Sequence, residues 1–190
     1  MPITINGSGT ITGISAGGLP DGSVTTNDLA ANAVTAAKLG TNTFVSYAVI
    51  ADQKTLGTDG GGFASGAWRT RDLNTELFDP DGIVSISSNQ FTLGAGTYFI
   101  AFSAPGHSVA RHNVRLYDVT NSSVEATGTS EYAPSGVNNR SFGFGRVTIT
   151  ADTTYEIQHK GQTTINTNGL GVGCDNATET YTVVEIFREA

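Results

Sequence analysis

Thr180-Tyr181-Thr182-Val183-Val184-Glu185-Ile186-Phe187-Arg188 decides the fold. Side chains alternate across a strand, so Tyr181, Val183, Glu185 and Phe187 share one face. Thr182, Val184, Ile186 and Arg188 share the other. Both faces carry apolar residues. Thr97–Ala104 repeats the pattern, with Tyr98, Ile100 and Phe102 opposite Phe99 and Ala101, and so does the stretch from Phe44 to Ile50. A lone antiparallel sandwich needs one apolar face per sheet. Strands apolar on both faces predict that the outer side of one sheet is covered too, as a subunit interface would cover it. Phe44, Tyr47, Tyr98, Tyr181 and Phe187 are the residues expected there.

Further strands are expected at Val84–Ser87, Gln90–Leu93, Arg111–Asp118, Val124–Tyr132, Phe142–Ala151 and Thr153–Lys160. Turn residues separate them, at Asp79-Pro80-Asp81-Gly82, Gly94-Ala95-Gly96, Thr120-Asn121-Ser122-Ser123, Ala151-Asp152 and 166–173. Short strands at even spacing specify an all-β sandwich, barrel or jelly roll. Composition agrees. Glycine (24 residues) and threonine (27) lead, and charged residues are only 14%. Such a chain has little helix-forming material, which argues against a helical bundle or a large α/β enzyme.

The net charge is −7, from 10 basic and 17 acidic residues. Phosphate backbones are held by clustered Lys and Arg, so nucleic acid is not an expected partner. Cys174 is the single cysteine, which excludes an intrachain disulfide and a Cys-based zinc site. Met1-Pro2-Ile3-Thr4 opens without a basic or apolar signal region, and no run is long enough to span a bilayer.

Residues 1–42 differ from the rest. They hold no Trp, Phe or Tyr. Ile3-Thr4-Ile5-Asn6-Gly7 is echoed by Thr10-Ile11-Thr12-Gly13, and Val24-Thr25 with Leu29 recurs ten residues later as Val34-Thr35 with Leu39. Residues 32–39 suit a short helix capped by Gly40. This segment cannot bury its few apolar residues alone, and repeated units without a core of their own are built to stack. The expected division is a segment 1–42 that anchors, and a head domain 43–190.

Residues in the head carry a resemblance. Asp79-Pro80-Asp81-Gly82, Gln90-Phe91-Thr92-Leu93 and Gly94-Ala95-Gly96-Thr97-Tyr98-Phe99 resemble the early strands of the complement/TNF-like jelly roll. Residues 66–74, Gly128-Thr129-Ser130-Glu131-Tyr132, Glu156-Ile157-Gln158-His159 and Tyr181–Phe187 resemble head domains at the ends of tailed-bacteriophage fibres. Pro20-Asp21-Gly22-Ser23-Val24-Thr25-Thr26 is similar to trimeric fibre shafts and collars. The resemblance implies a homotrimeric virion protein, made in the host cytoplasm, that docks on other virion proteins through residues 1–42. Its head would bind a host-surface component, with a glycan the favoured class. Fibres of this kind usually carry a longer shaft, which leaves a tail fibre or tip and a capsid decoration of the same architecture both open. A glycan-cleaving tailspike is the third reading.

Strand parity says which end would meet a partner. If consecutive strands are antiparallel and the first rises from a base near Thr43, the tip collects residues 51–75, 104–110, 133–140 and 161–178. These are the long Gly- and Asn-rich connections, and long loops on a rigid sandwich are where binding usually sits. The expected receptor-binding residues are His107, Arg111, Tyr132, Asn138, Asn139, Arg140, Asn166, Asn168 and Asp175. Asn, Tyr and Arg with few hydrophobes suit a polar ligand.

Sharper chemistry finds little support. His107, His112 and His159 lack metal-ligand spacing, and His112 and His159 sit on expected strands, where hydrogen-bonded structural histidines are the better reading. Asp79 and Asp81 read as turn chemistry, and Glu131 as an ion-pair partner of neighbouring arginines. No nucleophile-elbow or phosphate-loop motif is present. The expectation is a binding protein without enzymatic activity, metal or cofactor.

Overall fold

The computed structural model describes residues 44–190 continuously, and before them Thr25, Asn27, Leu29, Ala30, Ala33, Val34 and Lys38. The chain divides into two units, Met1–Leu39 and Gly40–Ala190. The Ile/Thr echoes at residues 3–13 lie outside the described residues, as does most of the helix expected over 32–39. The second unit holds every strand of the described residues.

Its strands are β1 (Phe44–Lys54), β2 (Arg69–Thr70), β3 (Thr75–Phe78), β4 (Val84–Ser87), β5 (Gln90–Leu93) and β6 (Gly96–His107), followed by β7 (Ala110–Asp118), β8 (Ser123–Thr127), β9 (Glu131–Ala133), β10 (Asn138–Ile149), β11 (Thr153–Gly161) and β12 (Glu179–Glu189). They form two antiparallel sheets. One runs β10-β6-β12-β1-β3 and the other β4-β5-β11-β7-β8, with β2 added to β11 and β9 to β7. The expected strands at Val84–Ser87 and Gln90–Leu93 appear with those bounds.

The inner faces meet in one core. Ile50, Ile100, Phe102, Val184 and Ile186 pack from the five-stranded sheet against Phe91, Leu93, Val114, Leu116 and Ile157 from the other. Burying each such side chain is worth about 1.5–3 kcal/mol. A second, smaller cluster of Phe63, Val109, Ala133 and Leu170 fills the space under the loops at one end.

Three features depart from the sequence reading. The single strand expected over Val124–Tyr132 is two, β8 and β9, broken at Gly128. There the backbone turns briefly to β10 before β9 rejoins β7: Gly128 donates to the Val114 carbonyl (2.7 Å), and Thr129 donates to that of Phe142 (2.6 Å). A Cβ on Gly128 would lie 2.8 Å from the Phe142 oxygen, so no other residue fits this crossing. Residues 51–75, expected as one long loop, contain β2 and the start of β3. Asn138, Asn139 and Arg140, expected in a loop, open β10 and pair with His107, Gly106 and Pro105.

Candidate functional site

The expected tip is a real end of the sandwich. β1, β6, β9 and β11 finish there, and β7, β10 and β12 begin there, as the pairings Asn138↔His107, Gly161↔His112 and Lys54↔Glu179 show. Its loops are pinned. Glu179, 3% exposed, accepts backbone N–H bonds from Cys174 (2.9 Å), Asp175 (2.9 Å) and Gly57 (3.3 Å). Those bonds, led by the one from Cys174, hold its carboxyl below the usual range. The Asn138 side chain donates to the Val172 carbonyl and accepts from the Val172 N–H.

A cavity of about 750 Å3 opens at this end. β7 contributes Arg111, His112 and Asn113, and the 130–132 segment Ser130, Glu131 and Tyr132. Asn139, Lys160, Gly161 and Gln162 complete it. Register makes the arrangement. Arg111 pairs with Tyr132, His112 with Glu131, and Asn113 with Lys160. Cross-strand partners share a face, so Arg111, Asn113, Tyr132 and Lys160 stand on one side of the sheet. Tyr132 is 58% exposed. Asn139 donates to the Glu131 carboxylate (3.0 Å) and to the Tyr132 carbonyl.

Behind the cavity runs a buried chain of three side chains. Arg71, fully buried, places Nη1 3.3 Å from His159 Nδ1, and His159 Nε2 lies 3.0 Å from His112 Nδ1. A guanidinium has only donors, so His159 accepts at Nδ1 and carries its proton on Nε2. That proton is donated to His112, whose own proton is therefore on Nε2, a buried atom without a partner among the described residues. Burial lowers both imidazole pKa values, and Arg71 adds to the effect. His159, the deeper ring, falls well below 6.5. The expectation of structural, hydrogen-bonded histidines at 112 and 159 is met. Glu131, expected in an ion pair, instead holds Asn139.

The two histidines make stability pH-dependent. In the unfolded chain both protonate near pH 6.5, while in the fold both resist protonation. The folded state therefore binds fewer protons, and stability falls as pH drops below about 6.5. The urea midpoint should decline between pH 7 and pH 5. A midpoint constant across that window would show that the pair protonates without cost.

Of the nine expected tip residues, the cavity unites Arg111, Tyr132 and Asn139. His107 closes β6 with Nδ1 buried and unpartnered among the described residues. Asn138 is a latch. Arg140 is partly buried and donates to Ser103 (2.9 Å) on β6. Asn166, Asn168 and Asp175 sit in the 162–178 connection, away from the cavity lining. The sequence reading missed His112, Asn113, Ser130, Glu131, Lys160 and Gln162 in this role. Cross-strand register is the signal that gathers them.

The second candidate surface is the outer side of the five-stranded sheet, where aromatic rings form a row. Phe144 and Phe99 are 6.2 Å apart, Phe99 and Phe187 6.2 Å, Phe187 and Tyr47 4.7 Å, and Tyr47 and Phe78 5.8 Å. Phe44 joins at 5.2 Å from Phe187. The row crosses all five strands, and Phe44, Phe78 and Phe144 are 49%, 50% and 70% exposed. Phe44, Tyr47 and Phe187 all lie on this outer face; strict alternation from Phe44 to Ile50 sets Phe44 opposite Tyr47, and the register shift between Phe44 and Ser46 brings it to the same side. Tyr98 and Tyr181 do not serve there, which corrects the expectation. Tyr98 points into the core, 1% exposed. Tyr181 shares the outer face of β12 but is covered by the chain's own Gly60 and Gly171, and its hydroxyl donates to the Thr58 carbonyl (2.7 Å).

With this geometry the fold can be placed. Structures of murine APRIL at pH 8.0 and pH 5.0 superpose on 75% of this chain and 98% of their own, with TM-scores of 0.50 and 0.51 at 8% identity. The globular domain of zebrafish complement 1qA gives a TM-score of 0.48 at 17% identity, over 75% of this chain and 95% of its own. The chain is an all-β protein with the TNF/C1q-like jelly-roll fold. At these identities the likeness is one of fold alone. No protein-family model matches the sequence, and no curated protein matches it.

Proposed function

We propose that the chain is a homotrimeric, non-enzymatic virion protein whose jelly-roll head binds a glycan on a host surface. Three things support this reading: the fibre-head resemblance of the sequence blocks, the jelly-roll fold, and the exposed aromatic row. The row carries it. Exposed apolar surface of this extent on one sheet face marks an interaction site, and association with copies of the chain would bury it. Residues 1–42 would then dock on other virion proteins, and the cavity would meet the host surface.

Light scattering on the purified chain tests the assembly. A particle of three times 19.7 kDa is expected; a stable monomer at micromolar concentration would overturn it. Microscopy of virions labelled on this chain tests the location. Label at the tail tip fits a fibre, label over the capsid fits the decoration of the same architecture, and an unlabelled virion refutes both. Binding of labelled head to host cells tests the partner.

A further inference from the structure

Two cations stand apart in this molecule. Among the described residues, Lys54 and Arg146 pair with carboxylates. Lys38, Arg69, Arg71 and Arg188 donate to backbone carbonyls. Arg115 and Arg140 donate to Gln158 and Ser103. The charged ends of Arg111 and Lys160 alone make no hydrogen bond or ion pair; Lys160 only approaches the Trp68 ring, at 5.9 Å. Both line the same cavity, and both are exposed.

Their spacing is defined by register. Lys160 pairs with Asn113, two residues along β7 from Arg111, so the two cations are diagonal neighbours on one face. Such neighbours stand about 7–8 Å apart at the backbone. Two long side chains at that separation can close on one anionic group from both sides. The carboxylate in the cavity lining, Glu131, is already engaged by Asn139. His112, in the cavity wall, resists protonation and adds no positive charge at neutral pH.

We propose that this cavity selects an anionic sugar unit, a pyranose bearing a carboxylate or a phosphate, with Arg111 and Lys160 holding the anion. The proposal rests on the reading of the head as a glycan binder, and names the class of glycan. The exposed Tyr132 ring, paired with Arg111, offers an apolar face for the sugar ring. Asn113 and Gln162 offer amide groups to its hydroxyls. A volume of about 750 Å3 suits one or two sugar units. The net charge of −7 opposes long polyanions, so the anion recognised is local, one charge on a saccharide.

Calorimetric titration of the full chain tests this with three probes: methyl β-D-glucuronide, glucose 6-phosphate and methyl β-D-glucoside. At least one anionic sugar should bind about tenfold tighter than the neutral glucoside, and which one does so identifies the anion. Arg111→Ala and Lys160→Ala should each weaken that binding by about fivefold or more, and Arg146→Gln, outside the cavity lining, should leave it unchanged. Raising salt should weaken the anionic probes and spare the neutral one. Equal binding of all three sugars, or equal loss in all three variants, refutes anion selection and leaves a glycan-binding head standing. No binding by any probe refutes the proposed site. If labelled head also fails to bind host cells, the glycan reading falls with it.

Discussion

Replacing Arg71 with methionine should cost about 3–5 kcal/mol of folding stability, the range for removing one member of a buried charged network. The guanidinium is fully buried, and it ties four parts of the tip together. Nε donates to Thr182 on β12 (3.0 Å), Nη1 to the Pro105 carbonyl on β6 (3.2 Å) and to His159 on β11, and Nη2 to the Leu170 carbonyl (2.8 Å). Methionine fills much of the volume but leaves these acceptors buried and unmet, at about 1–3 kcal/mol each before relaxation. Desolvation pulls the Arg71 pKa down to about 10, so it stays charged at neutral pH. Asp52 and Asp72 balance that charge from nearby, themselves bridged by Lys54 at 3.1 and 2.9 Å. A domain of this size has roughly 5–15 kcal/mol in total, so the variant should unfold in far less urea. It should also free the His159 tautomer and weaken the His112 contact. A loss below about 1 kcal/mol would show that the tip is held elsewhere.

Phe99→Arg combined with Phe187→Arg should leave the sandwich folded and dissolve the proposed homotrimer. Both rings are on the outer face and in the middle of the aromatic row, joined to Phe144 on one side and Tyr47 on the other. If copies of the chain bury them, each ring contributes about 1.5–3 kcal/mol, and arginine there adds like charges around the contact. Two rings per subunit correspond to a weakening of more than about 100-fold. Light scattering should then report 19.7 kDa, with an unchanged β-sheet circular-dichroism spectrum. An assembly that survives both substitutions would place the interface on another face.

Much of the fold is legible in the residues alone. Period-two alternation identifies the long strands, because each buries at least one face. Parity gathers the tip loops at one end, since hairpin connections reverse direction whatever their length. Other features escape the local pattern. Alternation divides a strand into two faces without saying which is inside. Tyr98 faces the core, and Tyr181 keeps its outer face yet is roofed by Gly60, from the loop after β1, and by Gly171, from the loop before β12. The break at Gly128 depends on a close approach to Phe142 that no local pattern reports. The burial of Arg71 leaves no local signal, because it depends on four acceptors from four distant segments. The cavity exists only through register: His112, Glu131 and Lys160 become neighbours by hydrogen-bonded pairing across strands.

The pairing of β1 with β12 has a consequence for how the molecule forms. Phe44 lies opposite Glu189, and Gln53 opposite Thr180, so this ladder of the five-stranded sheet joins positions roughly 125–145 residues apart. Closing so large a loop comes before the contacts that reward it, and sheets dominated by such pairings fold on the millisecond-to-second scale. Through that interval β1 presents its unpaired edge and its aromatic side chains to other chains, the condition that favours aggregation. Dilution during refolding should raise the yield of folded monomer, while the proposed association of finished chains would call for concentration. If the chain assembles as proposed, maturation is a race between two orders of reaction, first-order closure of one chain and higher-order encounter of several.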